Sequence, residues 1–146
     1  MRDIKFRVWD KIDKEMRKVR EIGFDQCGGV MYVILTIPFL INNGDVDFDF
    51  VKRKPGEFIL LRYTGLKDKN GKEIYEGDII NQKYKLGNRY YLVKYDNTIA
   101  SFVMKKLNRN NFESNKVGTE TRFYTHDCKK SEVVGNKYEN PELLEE

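Results

Sequence analysis

Tyr63-Thr64-Gly65-Leu66-Lys67-Asp68-Lys69-Asn70-Gly71-Lys72-Glu73-Ile74-Tyr75-Glu76-Gly77-Asp78-Ile79-Ile80 is the stretch that decides the fold. Asn70-Gly71 is a strong short-range hairpin signal, because both central positions of a type I′ turn need positive φ and these residue types tolerate it. Glu76-Gly77-Asp78 breaks the chain again before Ile79-Ile80, so a small β ribbon is delivered directly into the next strand. None of these residues forms a catalytic constellation.

The stretch resembles the segment that leads into a small SH3-like barrel in the YopX family of phage and prophage proteins. Two other places carry the same resemblance. The opening Arg2-Asp3-Ile4-Lys5-Phe6-Arg7-Val8-Trp9-Asp10 is similar to the family's amino-terminal strand, and Val133-Val134-Gly135-Asn136-Lys137-Tyr138-Glu139-Asn140-Pro141-Glu142-Leu143-Leu144 to its carboxy-terminal signature. The resemblance implies an α+β, mostly β protein: an amino-terminal β-rich subdomain over 1–62, then an SH3-like barrel with a short carboxy-terminal tail over 63–146. It implies a phage context and carries over no catalytic residue. The apolar run before Tyr63 and the Asn-rich stretch after Lys106 are individual to this chain.

Working outward, Ile4, Phe6 and Val8 alternate with Lys5, Arg7 and Trp9, the two-residue period of a strand with one core face. Met16 to Phe24 reads either as the returning arm of a hairpin or, from the Met16, Val19, Ile22 spacing, as a helical turn. Val30 to Ile41 is a nearly continuous apolar run interrupted by Pro38, read as a buried strand with Pro38 at an edge or kink. It is too short for a bilayer, which needs about 20 residues, and no membrane partner is expected. A small domain struggles to bury so much apolar surface alone, which makes Val33, Leu35, Ile37 and Phe39 candidate contacts of a homo-oligomer. Val46, Phe48 and Phe50 alternate with Asp45, Asp47 and Asp49, an amphipathic strand whose acidic face is expected outside. Arg89 to Tyr95 and Thr98 to Met104 suggest a hairpin joined by Asp96-Asn97. Asn108 to Thr119 reads as an exposed loop, Phe123-Tyr124 and Glu132 to Val134 as closing strands, and Asn140-Pro141-Glu142 as one short helical turn.

The chain has 146 residues, enough for one respectable core or two small ones. Its net charge of +4 permits an anionic partner without requiring one. Met1 leads straight into strand residues with no leader pattern, so the expected place is the cytoplasm of a bacterial host. Cys27, Cys128 and the single His126 are too few for a disulfide framework or a zinc site, and no cofactor is expected.

Asp45, Asp47 and Asp49 invite a metal reading. Alternate strand residues stand roughly 6.5 Å apart, whereas calcium ligands converge at about 2.4 Å, so a solvated face is the better reading. His126, Asp127 and Cys128 could imitate a catalytic set, but neighbours on a strand point to opposite faces. No phosphate loop, nucleophile elbow or two-histidine motif is present, and no enzyme is expected. The expected function is a non-catalytic protein-binding module that engages an unidentified bacterial or phage protein and modulates replication, transcription or defence. The first alternative is a nucleic-acid binder. Its contacts would come from Lys52, Arg53 and Lys54, from Lys105, Lys106 and Arg109, and from the barrel tyrosines Tyr84, Tyr90 and Tyr124. The same residues are candidate contacts for a protein partner, and the second alternative is a homo-oligomeric architectural protein.

Overall fold

The computed structural model describes residues 3–107 and 119–144. It is 60% strand and 5% helix, arranged in two antiparallel sheets, as the mostly β expectation requires. The chain divides into two compact units, Phe6–Leu61 and the combination of Met1–Lys5 with Arg62–Glu146.

In the first unit, β1 (Phe6–Asp10), β2 (Glu15–Phe24), β3 (Val30–Leu40), β4 (Val46–Arg53) and the start of β5 (Phe58–Lys67) lie in the order β4-β3-β2-β1-β5. The ambiguous stretch after Met16 is therefore a strand, paired to β1 through Trp9↔Met16 and Arg7↔Lys18. Its turn is set by Lys14 in the left-handed region and by the Asp10 carboxylate, which accepts the Ile12 N–H at 3.0 Å. Val8, Val33 and Leu35 form the buried centre, ringed by Val19, Ile22, Val51 and Phe58. Each such aliphatic contributes about 1.5–3 kcal/mol by leaving water. Pro38 is tolerated because the β2–β3 register ends at Lys18↔Thr36, so β3 no longer needs a donor on that side.

Two observations fix the shape of this unit. In a flat sheet β4 and β1 would be about 14 Å apart, three strand spacings. Yet Arg53 Nε on β4 lies 3.0 Å from both carboxylate oxygens of Asp10 on β1. The sheet must coil strongly at that end. The β3–β4 ribbon, by contrast, runs on beyond the last β2 pair, and all ten residues 41–50 are exposed.

That ribbon corrects the expected orientation of β4. Val51 pairs with Leu35 and Arg53 with Val33, so these positions share the core-facing side. Period two then puts Asp49 and Asp47 on that same side, opposite Ile37 and Phe39, while Phe50, Phe48 and Val46 project to the other face. The aromatic row is therefore the outer one. Alternation fixed that two faces exist, but only the pairing register says which is covered.

The second unit contains the end of β5, β6 (Glu73–Tyr75), and a sheet in the order β10-β9-β8-β7-β11. Its strands are β7 (Asp78–Tyr84), β8 (Gly87–Asp96), β9 (Ser101–Lys106), β10 (Glu120–Arg122) and β11 (Ser131–Asn136), with a four-residue helix α1 (Thr125–Cys128) before β11. Ile74, Ile80, Tyr91, Val93, Met104, Phe123 and Cys128 make its core. Several local expectations change. Phe123-Tyr124 is not a strand: β10 ends at Arg122, Phe123 enters the core and Tyr124 precedes α1. The β8–β9 connection is longer than Asp96-Asn97, since Asp96 pairs with Ser101 and Ala100 takes positive φ. The tail does form one 3-10 turn, Pro141–Leu143, after Asn140. The Asn-rich segment falls outside the described residues except for Thr119.

The diagnostic hairpin is not type I′. Gly71 takes φ of 81° but Asn70 stays out of the positive region, and the Gly71 N–H donates to the Asp68 carbonyl at 3.0 Å. The cause is Asp68, whose Oδ1 accepts the N–H groups of Asn70 at 2.8 Å and Lys72 at 2.9 Å and so winds the turn around its own carboxylate. Oδ2 accepts the Val133 N–H at 2.9 Å. Nearby, the Lys69 N–H donates to Ser131 O and the Lys137 N–H to Gly77 O. A Cβ on Gly77, at φ 87°, would lie 3.1 Å from the Tyr138 ring. The hairpin and the carboxy-terminal signature are thus two halves of one clasp. The amino-terminal segment joins the same unit, with Lys5 O accepting from Tyr63 N and Lys5 Nζ 2.6 Å from Glu73.

Candidate functional site

The residues singled out by sequence do not assemble into one site. Lys52, Arg53 and Lys54 belong to the Phe6–Leu61 unit, and Tyr84, Tyr90, Lys105, Lys106 and Tyr124 to the other. Arg109 lies outside the described residues. Lys105 pairs with Leu92 and Lys106 with the buried Tyr91, so the two lysines leave β9 on opposite faces and cannot act as a cluster. Tyr90 shares the Lys105 side, because Tyr90 O accepts the Leu107 N–H. Tyr84 stands exposed near the end of the β7–β8 hairpin under the Arg89 guanidinium, 4.4 Å from its ring centre, and Tyr124 is exposed against the His126 ring.

Two of the expected oligomer contacts are corrected outright. Val33 and Leu35 are fully buried in their own unit's core and have no surface to offer. Ile37 is half-buried, and Phe39, near the ribbon's end, is exposed. Arg53 is also withdrawn from the list of partner contacts, because it is engaged by Asp10 and, at 3.0 Å, by Asp13. Burial pushes the Asp10 carboxyl up, but the Arg53 bond, the Ile12 N–H and the Arg53 charge outweigh it and hold the group below its usual range.

The imitation triad dissolves in the same way. Cys128 is buried, burial together with the Asp127 charge pushes its thiol up to about 11, and its Sγ donates to Tyr124 O. Such a thiol is a poor nucleophile. The Asp127 carboxylate accepts the Tyr124 N–H at the start of α1, while Ser131 Oγ–H donates to the Asp127 carbonyl. Among the described residues no group of three His, Cys, Asp or Glu side chains converges in a way that could hold a metal ion.

What the sheet does assemble is an outer face on the first unit. The row Arg7, Lys18, Thr36, Phe50 crosses β1 to β4 through successive pairings, and Lys52 and Phe48 flank Phe50 along β4. The Arg20 guanidinium lies 3.9 Å from the centre of the Phe50 ring, and Lys52 Nζ 4.1 Å from that of Tyr32. The Tyr32 ring in turn lies flat over Gly23, where any Cβ would come within 2.1 Å of it. Phe48 is 52% exposed and Phe50 44%. Lys18, Arg20 and Lys52 make no ion pair among the described residues. Across β1 to β4 the carboxylate on this side is Glu21, which accepts the Tyr32 hydroxyl at 2.7 Å.

The edge of β4 is closed by its own aspartates. Asp47 Oδ1 accepts the Phe48 N–H and Asp49 Oδ1 the Phe50 N–H, each at 2.8 Å, so these donors are not open to an added strand. This is the role of the acidic row that sequence offered as a metal candidate. Sequence alone does not reveal the aromatic–cation face, because alternation does not say that Phe48 and Phe50 form the outer row and because Arg20, Tyr32 and Lys52 meet only through pairing.

A family model described as YopX protein matches residues 5–145. Among solved structures, protein EF1440 from Enterococcus faecalis is similar at 27% identity and a TM-score of 0.65, covering 99% of this chain and 100% of that one. Protein YopX from Bacillus subtilis shares the fold at 21% identity and a TM-score of 0.56, again covering 99% and 100%. No curated protein matches the sequence.

Proposed function

We propose that this chain, which belongs to the YopX family across residues 5–145, is a non-catalytic phage or prophage accessory module that docks a macromolecular partner on the outer sheet face of its Phe6–Leu61 unit. The observation that carries this reading is the exposure of Phe48 and Phe50 beside Arg20 and Lys52, cations that make no ion pair among the described residues. Large rings left in water cost stability that a partner can recover, and rings with basic neighbours are the residue types over-represented where macromolecules meet. The capped β4 edge supports recognition by the face rather than by strand addition.

Capture from a bacterial lysate with the immobilised chain tests it, comparing wild type with Phe48→Ser/Phe50→Ser. Both substitutions lie on exposed positions and leave the core intact. The wild type should retain a partner, protein or nucleic acid, that the variant loses. Identical retained sets from the two forms refute the assignment of the face.

A further inference from the structure

We infer that the partner of this face is a single-stranded nucleic acid, a narrowing that rests on the docking reading above. Three features point to it together. The first is charge: Lys18, Arg20 and Lys52 are exposed and without ion pairs among the described residues, while the pairing register turns Asp47 and Asp49 to the opposite side. A phosphate chain gains from every such cation, because each one it meets releases condensed counterions. The second is the kind of apolar group: Phe48 and Phe50 are exposed rings, the latter carrying the Arg20 guanidinium over one face, and bases of any sequence can stack on rings and on guanidinium planes. The third is spacing. Alternate strand residues such as Phe48 and Phe50 stand about 6.6 Å apart. A splayed single strand can seat successive bases at that interval, whereas bases in a duplex are stacked at about 3.4 Å along each strand and hide their faces.

The cations and rings are also interleaved. Arg20 lies over the face of Phe50 and Lys52 over that of Tyr32, so the positive charges stand among the aromatic residues of the face, within reach of the phosphates of a strand whose bases stack there. Glu21 is the one carboxylate on this side across β1 to β4; it accepts the Tyr32 hydroxyl and is outnumbered by Lys18, Arg20 and Lys52. The family resemblance by itself favours a protein partner; the face adds charge to aromatic surface and shifts the class of ligand.

The test is fluorescence anisotropy of the whole chain with a labelled oligothymidylate and with a duplex of equal length, across a salt series. The single strand should bind and the duplex should not. With three phosphate contacts the log–log salt slope should be about −2, and Arg20→Gln/Lys52→Gln, which leaves the core untouched, should flatten it to about −0.7. Phe48→Leu/Phe50→Leu keeps the apolar surface but removes the rings, and should weaken binding about fivefold or more per ring. Lys129→Gln/Lys130→Gln, exposed in the other unit, should change neither. Absence of single-strand binding at low salt, equal binding of the duplex, or an undiminished slope in Arg20→Gln/Lys52→Gln each overturns the inference. If the oligonucleotide fails to bind while Phe48→Ser/Phe50→Ser still loses a captured protein, the inference falls and the docking reading stands. If capture is unchanged as well, both fall.

Discussion

Replacing Asp68 by alanine should open the clasp that joins the diagnostic hairpin to β11. The carboxylate is buried at 7% exposure and accepts three backbone donors, from Asn70 at 2.8 Å, Lys72 at 2.9 Å and Val133 at 2.9 Å. Asn70 and Lys72 are exposed turn residues, so water replaces the lost acceptor and each bond costs about 0.5–1 kcal/mol. Val133 is half-buried in β11, where the register breaks between Val133 and Gly135, and its orphaned N–H costs about 1–2 kcal/mol. The sum is about 3 kcal/mol, which for a chain of this size lowers the melting temperature by roughly 10 °C. Asp68→Asn keeps one acceptor for the turn but turns its amide toward the Val133 donor, so it should lose about half as much. Thermal and urea unfolding followed by far-UV circular dichroism measures both, and an Asp68→Ala variant melting within 2 °C of wild type, a small fraction of the shift expected, would falsify the clasp. The pH dependence gives an independent check. Burial pushes the Asp68 carboxyl up, but the Val133, Lys72 and Asn70 donors together with the Lys72 charge bring it below the ordinary 3.8. A group depressed in the folded state adds stability above its unfolded value, so the gap between wild type and Asp68→Ala should be constant above about pH 5 and shrink as pH falls through and below 3.8.

Other expectations follow from the same packing. Arg53→Ala strands the fully buried Asp10 carboxylate and should cost about 3–5 kcal/mol in urea unfolding. Lys52→Ala, one residue away but exposed, should stay within about 0.5 kcal/mol, and equal effects would contradict the separation of the two side chains. Gly77→Ala forces a side chain into the left-handed region, at about 1–2 kcal/mol, and presses a methyl on the Tyr138 ring. A melting temperature equal to wild type would show that this turn is not held as described. Iodoacetamide at pH 8 should modify Cys27 alone in the native protein, because Cys128 is buried with its thiol at about 11; mass spectrometry showing rapid double labelling without denaturant would contradict that burial.

The family and the mostly β architecture were legible in the chain because turn chemistry and alternation are local properties. Gly71 and Gly77 adopt the left-handed conformations that their turns demand, and the ribbon is delivered directly into β7 at Asp78, as the break at Glu76-Gly77-Asp78 implies. The type of the diagnostic turn was not legible, since Asp68 competes for its donors with a carboxylate that also reaches a strand 65 residues away. Nor was the ambiguity at Met16, which pairing with β1 resolves.

Composition and spacing by themselves determined that this chain builds small antiparallel sheets from turn-punctuated strands, and that basic residues cluster at Lys52-Arg53-Lys54 and at Lys105-Lys106 with Arg109. Only tertiary structure decided what those groups do. Strand pairing draws Arg53 into a buried ion pair with Asp10, sends Lys105 and Lys106 to opposite faces, and sets Arg20 and Lys52 over rings from other strands. The physical reason is the period of two. A strand's sequence states that it has two faces, but which face is covered depends on a register shared with a neighbour far along the chain, and a shift of one residue would exchange them.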